Sequence, residues 1–447
     1  MLKKIFKFTH TRLIALGFAG IILCGTLLLL LPVCQTGAVE IGFSDALFTA
    51  VSATCVTGLV VCDTFTAWSA VGQAVILIMI QIGGLGFMTI ATQLYMLLNK
   101  RVSLLGRQVL SESINTTSVG GVFQLTGRIV RFTALFEGAG ALLLAIRFVP
   151  QFGLVQGLWF SLFHSVSAFC NAGFDLMGIR QPYSSFVAYY DDPLVVLTLS
   201  ALIVVGGLGF IVWEDIRRHK TNWRRYTLHS KIVLSTTAVL LVGGTLLFIL
   251  VEWDATSAGM NTIERLLTGL FNAVTPRTAG MNTVDTAALS APGTLLTIVL
   301  MFIGGSPGST AGGIKTTTIF VLLVCVLCDA KADKTPTAFG RRLGESALRR
   351  ASTVFFCNLL LALFAAFFIG ALQPELPFGE VIFEVFSGIG TVGMSTGVTR
   401  SLNTLSRVLV MVLMYCGRLG SMSFAMAIAE RRKTAPVRLP EEQITIG

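Results

Sequence analysis

The 447 residues are 54% hydrophobic and 13% charged, with a mean hydropathy of +0.79 and a formal net charge of +10. Soluble domains carry about 25% charged residues, so these proportions exclude a cytosolic globular enzyme, a disordered scaffold and a secreted disulfide domain. They specify a polytopic membrane protein, and the 45 glycines suit closely packed membrane helices.

About 20 apolar residues cross a bilayer, and candidate spans fall at 13–31, 71–98, 132–149, 194–213, 232–251, 293–327, 353–372 and 407–429. The first follows Lys3, Lys4 and Lys7 but is too long for a signal-peptide core, and the Leu-Pro-Val-Cys behind it is a poor cleavage site. Eight crossings put both termini on one side. The termini and even-numbered connections (1–12, 99–131, 214–231, 328–350, 430–447) hold 25 Lys and Arg against 9 acids. The other connections (33–70, 150–193, 252–292, 373–404) hold 4 against 13. The positive-inside rule makes the first set cytoplasmic, so the basic excess reflects topology and implies no nucleic-acid partner. The acidic outer face would concentrate cations.

Each outer connection contains an aromatic-bearing, helix-like stretch and then a small-residue tetrad. The tetrads read Val56-Thr57-Gly58-Leu59, Asn171-Ala172-Gly173-Phe174, Thr278-Ala279-Gly280-Met281 and Thr391-Val392-Gly393-Met394. Their glycines are 115, 107 and 113 residues apart, and Phe48, Phe163, Phe271 and Phe383 precede them by nine or ten residues. The following helices carry Gly83-Gly84-Leu85-Gly86, Gly206-Gly207-Leu208-Gly209, Gly304-Gly305-Ser306-Pro307-Gly308 and Gly417-Arg418-Leu419-Gly420. Four such units in register predict an all-α polytopic membrane protein of four pseudo-symmetric helix–pore loop–helix repeats around one central ion pore. Their expected bounds are 1–98, 99–230, 231–350 and 351–447.

Backbone that leaves a helix inside a membrane survives only where protein buries it or it lines a water-filled cavity. A short helix entering from outside aims its negative C-terminal end at the membrane centre, which favours a cation. Carbonyls of the returning chain can replace a cation's hydration shell, and a central glycine permits the positive φ that aligns them. The twelve residues Val56 to Gly58, Asn171 to Gly173, Thr278 to Gly280 and Thr391 to Gly393 are therefore the expected cation-binding filter.

The sixth span is too long for one straight helix. Five glycines and a proline between Gly304 and Gly313 should break it near mid-membrane. Gly304, Gly305, Gly308, Gly312, Gly313 and Lys315 then form an intramembrane loop that blocks the path below the filter. The stretch misses a Walker motif because Ile314 intervenes before Lys315 and no strand leads in. Arg418 replaces the second glycine of the fourth GGLG-like motif. An arginine within a span costs about 2.5–3.5 kcal/mol on insertion scales, so it normally faces protein or water. Roughly 18 Å of helix separates its neighbour Gly417 from the basic 431–433 stretch, a long way to snorkel. It is expected to repel resting cations and to hydrogen-bond the loop carbonyls, completing the gate. Glu137 is expected to pair with Arg131 or Arg147. The nine cysteines are scattered, and Cys325/Cys328 form a lone CxxC without a second pair or a nearby histidine. They read as small buried hydrophobes, and the four histidines show no metal-ligand spacing.

The four tetrads, the broken sixth span and Arg418 resemble the Trk/Ktr/HKT superfamily of potassium transporters, most closely its Ktr-type membrane subunit. The resemblance spans essentially the whole chain, and the short segment before the first span favours Ktr over Trk. It implies potassium uptake across the bacterial plasma membrane, with potassium as substrate and no organic cofactor, and it admits sodium as an activator. In this family serine at the first filter glycine accompanies sodium transport in some plant members, so Gly58 implies potassium selectivity. Asn171, Ala172 and Ala279 depart from the Thr-Val-Gly pattern. The resemblance further implies a homodimer and a cytosolic RCK-type nucleotide-binding regulatory ring, with the 431–447 tail at one of those contacts. The competing reading is a symporter coupled to sodium or protons. It requires carboxylates inside the spans, where only Glu137 qualifies. An intramembrane enzyme would need a nucleophile and base at bilayer depth, and none is evident.

Overall fold

The computed structural model describes residues 10–86, 122–331 and 335–420. Its helices run α1 (His10–Leu29), α2 (Phe43–Cys55), α3 (Ala70–Leu85), α4 (Val122–Phe152), α5 (Leu154–Cys170), α6 (Pro193–Leu208) and α7 (Phe210–His219). The second half continues with α8 (Leu228–Val251), α9 (Thr262–Val274), α10 (Ala291–Phe302), α11 (Thr316–Ala330), α12 (Glu345–Leu372), α13 (Phe378–Gly390) and α14 (Thr404–Leu419). A two-stranded hairpin, Thr337–Ala338 with Arg341–Arg342, lies before α12.

Four of these helices, α1, α4, α8 and α12, are long and apolar enough to cross a bilayer. They carry an exposed apolar flank that includes Leu142, Val239, Leu250 and Phe367. Their counterparts α3, α6 and α14 are 16 residues each. That is roughly 24 Å at 1.5 Å per residue, short of the ~30 Å hydrocarbon core. Here the sequence expectation is corrected. The 194–213 segment is not one straight helix: it breaks at Gly209, where α6 and α7 meet at 95°. The cause is the last glycine of each GGLG-like motif. Gly86, Gly209 and Gly420 have φ of 80°, 98° and 85° with ψ of 130°, 142° and 125°, a region that favours glycine and ends a helix. The distal parts of the expected 71–98 and 407–429 spans lie outside the described residues.

Between the long helices sit four short ones, α2, α5, α9 and α13, whose C-terminal turns are buried. Their N-termini need acceptors for unpaired amides. Asp45 accepts from Gly42 N at 3.1 Å, and Asn261 accepts from Ile263 N and Glu264 N. The first glycine of the first, second and fourth motifs brings its helix onto a short one. An added Cβ at Gly83, Gly206 or Gly417 would lie 2.1, 2.0 and 2.2 Å from the carbonyl oxygens of Thr54, Phe169 and Ile389. In each case the oxygen belongs to the residue four positions before the tetrad glycine. The bundle closes where α14 meets the chain's beginning: Arg407 pairs with Asp45 at 2.8 Å, and Tyr415 donates to the Ala15 carbonyl at 2.6 Å.

Gly206→Ala should therefore lower thermal stability in detergent by about 1–3 kcal/mol, as overpacking against backbone does. Gly243→Ala, where a Cβ would meet nothing within 4 Å, should leave stability unchanged or raise it by up to about 1 kcal/mol.

Candidate functional site

The four short helices end at the tetrads in a shared conformation. Val56, Asn171 and Thr391 cap α2, α5 and α13 in the left-handed region, with φ of 58°, 58° and 51°. Thr278 follows at 81°, and the tetrad glycines Gly58, Gly173, Gly280 and Gly393 lie at 92°, 73°, 77° and 93°. A non-glycine residue held there costs about 1–2 kcal/mol, so surrounding packing must impose it on four different side chains. All four are buried.

The tetrads meet one another in a closed order. A Cβ added at Gly58 would lie 2.5 Å from the Ala172 carbonyl oxygen, and one at Gly173 would lie 2.8 Å from that of Ala279. At Gly280 the neighbour is the Val392 oxygen at 2.2 Å, and at Gly393 it is the Thr57 oxygen at 2.1 Å. The expected filter residues are thus brought together, each loop's middle carbonyl beside the next loop's glycine. The departures at Asn171, Ala172 and Ala279 change side chains and leave this backbone pattern intact. In the orientation that satisfies its amide, Asn171 donates to Ile203 O at 3.2 Å and Ala168 O at 3.0 Å.

One side of the ring opens into a cavity of about 420 Å³ whose floor includes the four tetrad glycines. Asp63, Asp175, Asp285, Tyr183 and Arg400 also line it. Asp63 is spent on Phe65 N, Thr66 N and Tyr183 N, and Arg400 lies 4.4 Å from the Tyr183 ring centroid. Asp175, in the outer connection, accepts from Met177 N at 2.9 Å. Burial, and then the negative charge of Asp63, pushes its carboxyl up to about 7. The sequence reading missed this vestibule. A signal was present: Asp63 and Asp285 each stand five residues past a tetrad glycine, and each caps a short helical turn.

On the opposite side lies the expected loop. The helix breaks between α10 and α11, and Gly312 and Gly313 reach Thr391 and Gly390 at the inner end of the fourth tetrad. Gly304 lies against the Gly312 carbonyl and Gly305 against Ala311. Gly308 O accepts from Phe210 N at 2.7 Å, and Ser306 N donates to Gly207 O at 3.0 Å, so the loop is stitched to the α6/α7 break. Lys315 Nζ donates to Ala311 O at 2.7 Å and Gly312 O at 3.1 Å, within the loop. Arg418 crosses from α14. Its guanidinium donates to the Thr310 carbonyl of the loop and to the Gly83 and Gly84 carbonyls at the end of α3, the last at 2.9 Å. One cation therefore joins three elements using carbonyls alone.

Glu137 requires a correction. It pairs with neither expected arginine: its carboxyl accepts from Gln81 Nε2 at 3.2 Å and from Cys170 Sγ at 3.9 Å, while Arg147 pairs with Asp192. One helical turn of α4 places it opposite α3 and the end of α5, where amide and thiol donors replace a charged partner.

Comparison with known proteins gives a consistent result. The family model for TrkH, a cation transport protein, matches residues 25–435. The potassium/sodium uptake protein NtpJ of Enterococcus hirae is 42% identical over 447 residues, covering 99% of this chain and 98% of that one. The Ktr system potassium uptake protein B of Bacillus subtilis is 37% identical over 443 residues, covering 99% and 97%. The crystal structure of the potassium transporter TrkH from Vibrio parahaemolyticus shares the fold with a TM-score of 0.77 at 16% identity, covering 96% of this chain and 86% of that one.

Because Arg418 holds the loop through Thr310, Arg418→Ala should increase amide hydrogen exchange across residues 303–315. Unchanged exchange there would show that the loop's other contacts hold it without Arg418.

Proposed function

The chain belongs to the TrkH cation transport protein family, and on that premise we propose that it takes up potassium across the plasma membrane as a channel-like translocating subunit. It is a transporter and not an enzyme, as its relatives are. The observation that carries the reading is the ring of four left-handed tetrads, in which each middle carbonyl adjoins the next loop's glycine. Backbone oxygens gathered so can substitute for water around a dehydrated cation, and the C-terminal ends of α2, α5, α9 and α13 add negative potential there. In this reading the chain comprises four repeats, 1–98, 99–230, 231–350 and 351–447, around one pore, with both termini cytoplasmic.

The loop of residues 304–315 and Arg418 form the gate. They lie on the inner side of the filter, and the guanidinium adds a positive charge that a potassium ion must pass. Opening requires Thr310 to release Arg418. No coupled ion is needed to drive uptake. Membrane potential supplies about 2.3 kcal/mol per charge per 100 mV, so roughly 150 mV gives about 3.5 kcal/mol. At 1.4 kcal/mol per decade, that supports accumulation of a few hundredfold. Sodium enters the reading as a stimulating ion; the NtpJ relative is named for uptake of potassium and sodium. Regulation comes from outside the chain: a homodimer docks on a cytosolic RCK-type nucleotide-binding ring through its basic inner connections. The 431–447 tail assigned to that contact lies outside the described residues.

The test is cation flux into liposomes holding this chain under an inside-negative potential. Potassium and rubidium should enter well ahead of sodium without any sodium or proton gradient. Flux that appears only with such a gradient would replace this reading with a coupled symporter.

The vestibule adds a pH dependence. Asp175 is negative above about pH 7 and neutral below it, so alkaline medium adds an attracting charge at the mouth. On acidification from pH 8 to 6 the half-saturating potassium concentration should rise about twofold to threefold, the size of one charge acting across about 7 Å of water. Asp175→Asn should hold it at the higher value at both pH values.

A further inference from the structure

In the last turn of α2, α5 and α13, and at the C-cap of α9, stands a fully buried hydroxyl that reaches forward to the following tetrad. Ser52 Oγ accepts from Gly58 N at 3.1 Å, and Ser387 Oγ accepts from Gly393 N at 3.1 Å. Ser167 Oγ instead donates to the Phe174 carbonyl at 2.6 Å, and Thr275 Oγ1 donates to the Met281 carbonyl at 2.5 Å. All four residues are completely buried. Each also grips its tetrad with its own carbonyl, which accepts from Thr57 N, Ala172 N, Ala279 N and Val392 N at 2.8–2.9 Å. In three loops the hydroxyl stands six residues before the glycine. In the third it stands five before, matching a loop one residue shorter between phenylalanine and glycine.

We propose that Ser52, Ser167, Thr275 and Ser387 are the positioning residues that set ion preference, by fixing which way the tetrad peptide planes face. The inference rests on the filter reading above. A peptide unit is planar, with its C=O and N–H pointing opposite ways. Holding Gly58 N–H against Ser52 therefore aims the Thr57 carbonyl away from that serine, and Ser387 does the same for the Val392 carbonyl through Gly393. These are two of the four oxygens that lie beside a neighbouring glycine. Ser167 and Thr275 act two peptides further on, drawing the Phe174 and Met281 carbonyls back towards their helices. In ring order the two amide-held loops are neighbours, and so are the two carbonyl-held loops. The four loops are thus held as two unlike halves.

Removing an acceptor at Ser52 or Ser387 leaves a buried glycine amide unpaired. With glycine's freedom in φ, that peptide turns to find another partner and takes its carbonyl out of place. The readout is the ratio of rubidium to sodium uptake by the full chain in one vesicle population, which does not depend on how much protein inserts. Ser52→Ala and Ser387→Ala should each lower that ratio roughly fivefold or more, the worth of about one hydrogen bond. Thr275→Val, which keeps the shape and loses the hydroxyl, should lower it too, while Thr275→Ser should retain it. Gly58→Ser runs alongside as the probe of the filter itself. If Gly58→Ser lowers the ratio while Ser52→Ala, Ser387→Ala and Thr275→Val keep the wild-type value, the hydroxyls do not set the preference and this inference falls alone. If Gly58→Ser also leaves the ratio unchanged, the filter reading falls and takes the inference with it.

Discussion

Unpaired backbone is the constraint on which this structure depends. Away from water, an N–H or C=O without a partner costs several kcal/mol, so a chain that leaves its helix inside the bilayer must bury, bond or use every polar group it frees. The four tetrads, the loop of residues 303–315 and the α6/α7 break are places where helices are abandoned, and many of the freed groups have a partner. Tetrad amides return to the helix before them. Loop amides reach the carbonyls freed at Gly206 and Gly207 where α6 ends. The carbonyls of Thr310, Gly83 and Gly84 are taken by Arg418. The middle carbonyls of the tetrads lie beside neighbouring glycines, and they are the groups that the proposed function assigns to the cation.

Glycine does two separate jobs in satisfying that constraint. Gly83, Gly206 and Gly417 lie within regular helices and matter because a side chain would strike a carbonyl of the adjoining short helix. Gly58, Gly173, Gly280 and Gly393 matter for the sign of φ as well as for the approach of the next loop. Gly86, Gly209 and Gly420 perform a related service at helix ends, where their positive φ stops the helix. The third unit departs from this scheme. Its glycines are spread along a loop, and the space occupied elsewhere by a helix end holds the segment that Arg418 secures.

Charge is arranged sparingly around the same axis. The outer cavity gathers Asp63, Asp175 and Asp285, yet Asp63 is committed to backbone amides, and Arg400 rests on Tyr183 within the same chamber. Across the tetrads from that cavity Arg418 has carbonyl partners and, among the described residues, no carboxylate partner. Glu137 is held by Gln81 and Cys170. The described carboxylates of the cavity and the guanidinium of Arg418 thus lie on opposite sides of the tetrad ring.

Much of this was legible in the residues alone, for a physical reason. Hydropathy sums transfer free energy along the chain, so the long helices α1, α4, α8 and α12 fell where the apolar runs predicted. A repeated glycine in register exposes a repeated backbone need, which is how the four tetrads, the break before Thr316 and the singular Arg418 could be read in advance. Hydropathy is blind to the sign of φ and to what stands across a packed interface. It therefore merged α6 and α7 into one straight span, although Gly209 turns the chain by 95°, and it assigned Glu137 a charged partner where the fold supplies an amide and a thiol. The order in which tetrads adjoin, the vestibule acids and the hydroxyls behind the tetrads are contacts between segments about a hundred residues apart or between side chain and backbone. Such contacts exist only once close packing brings the segments together, and that is what tertiary structure decided.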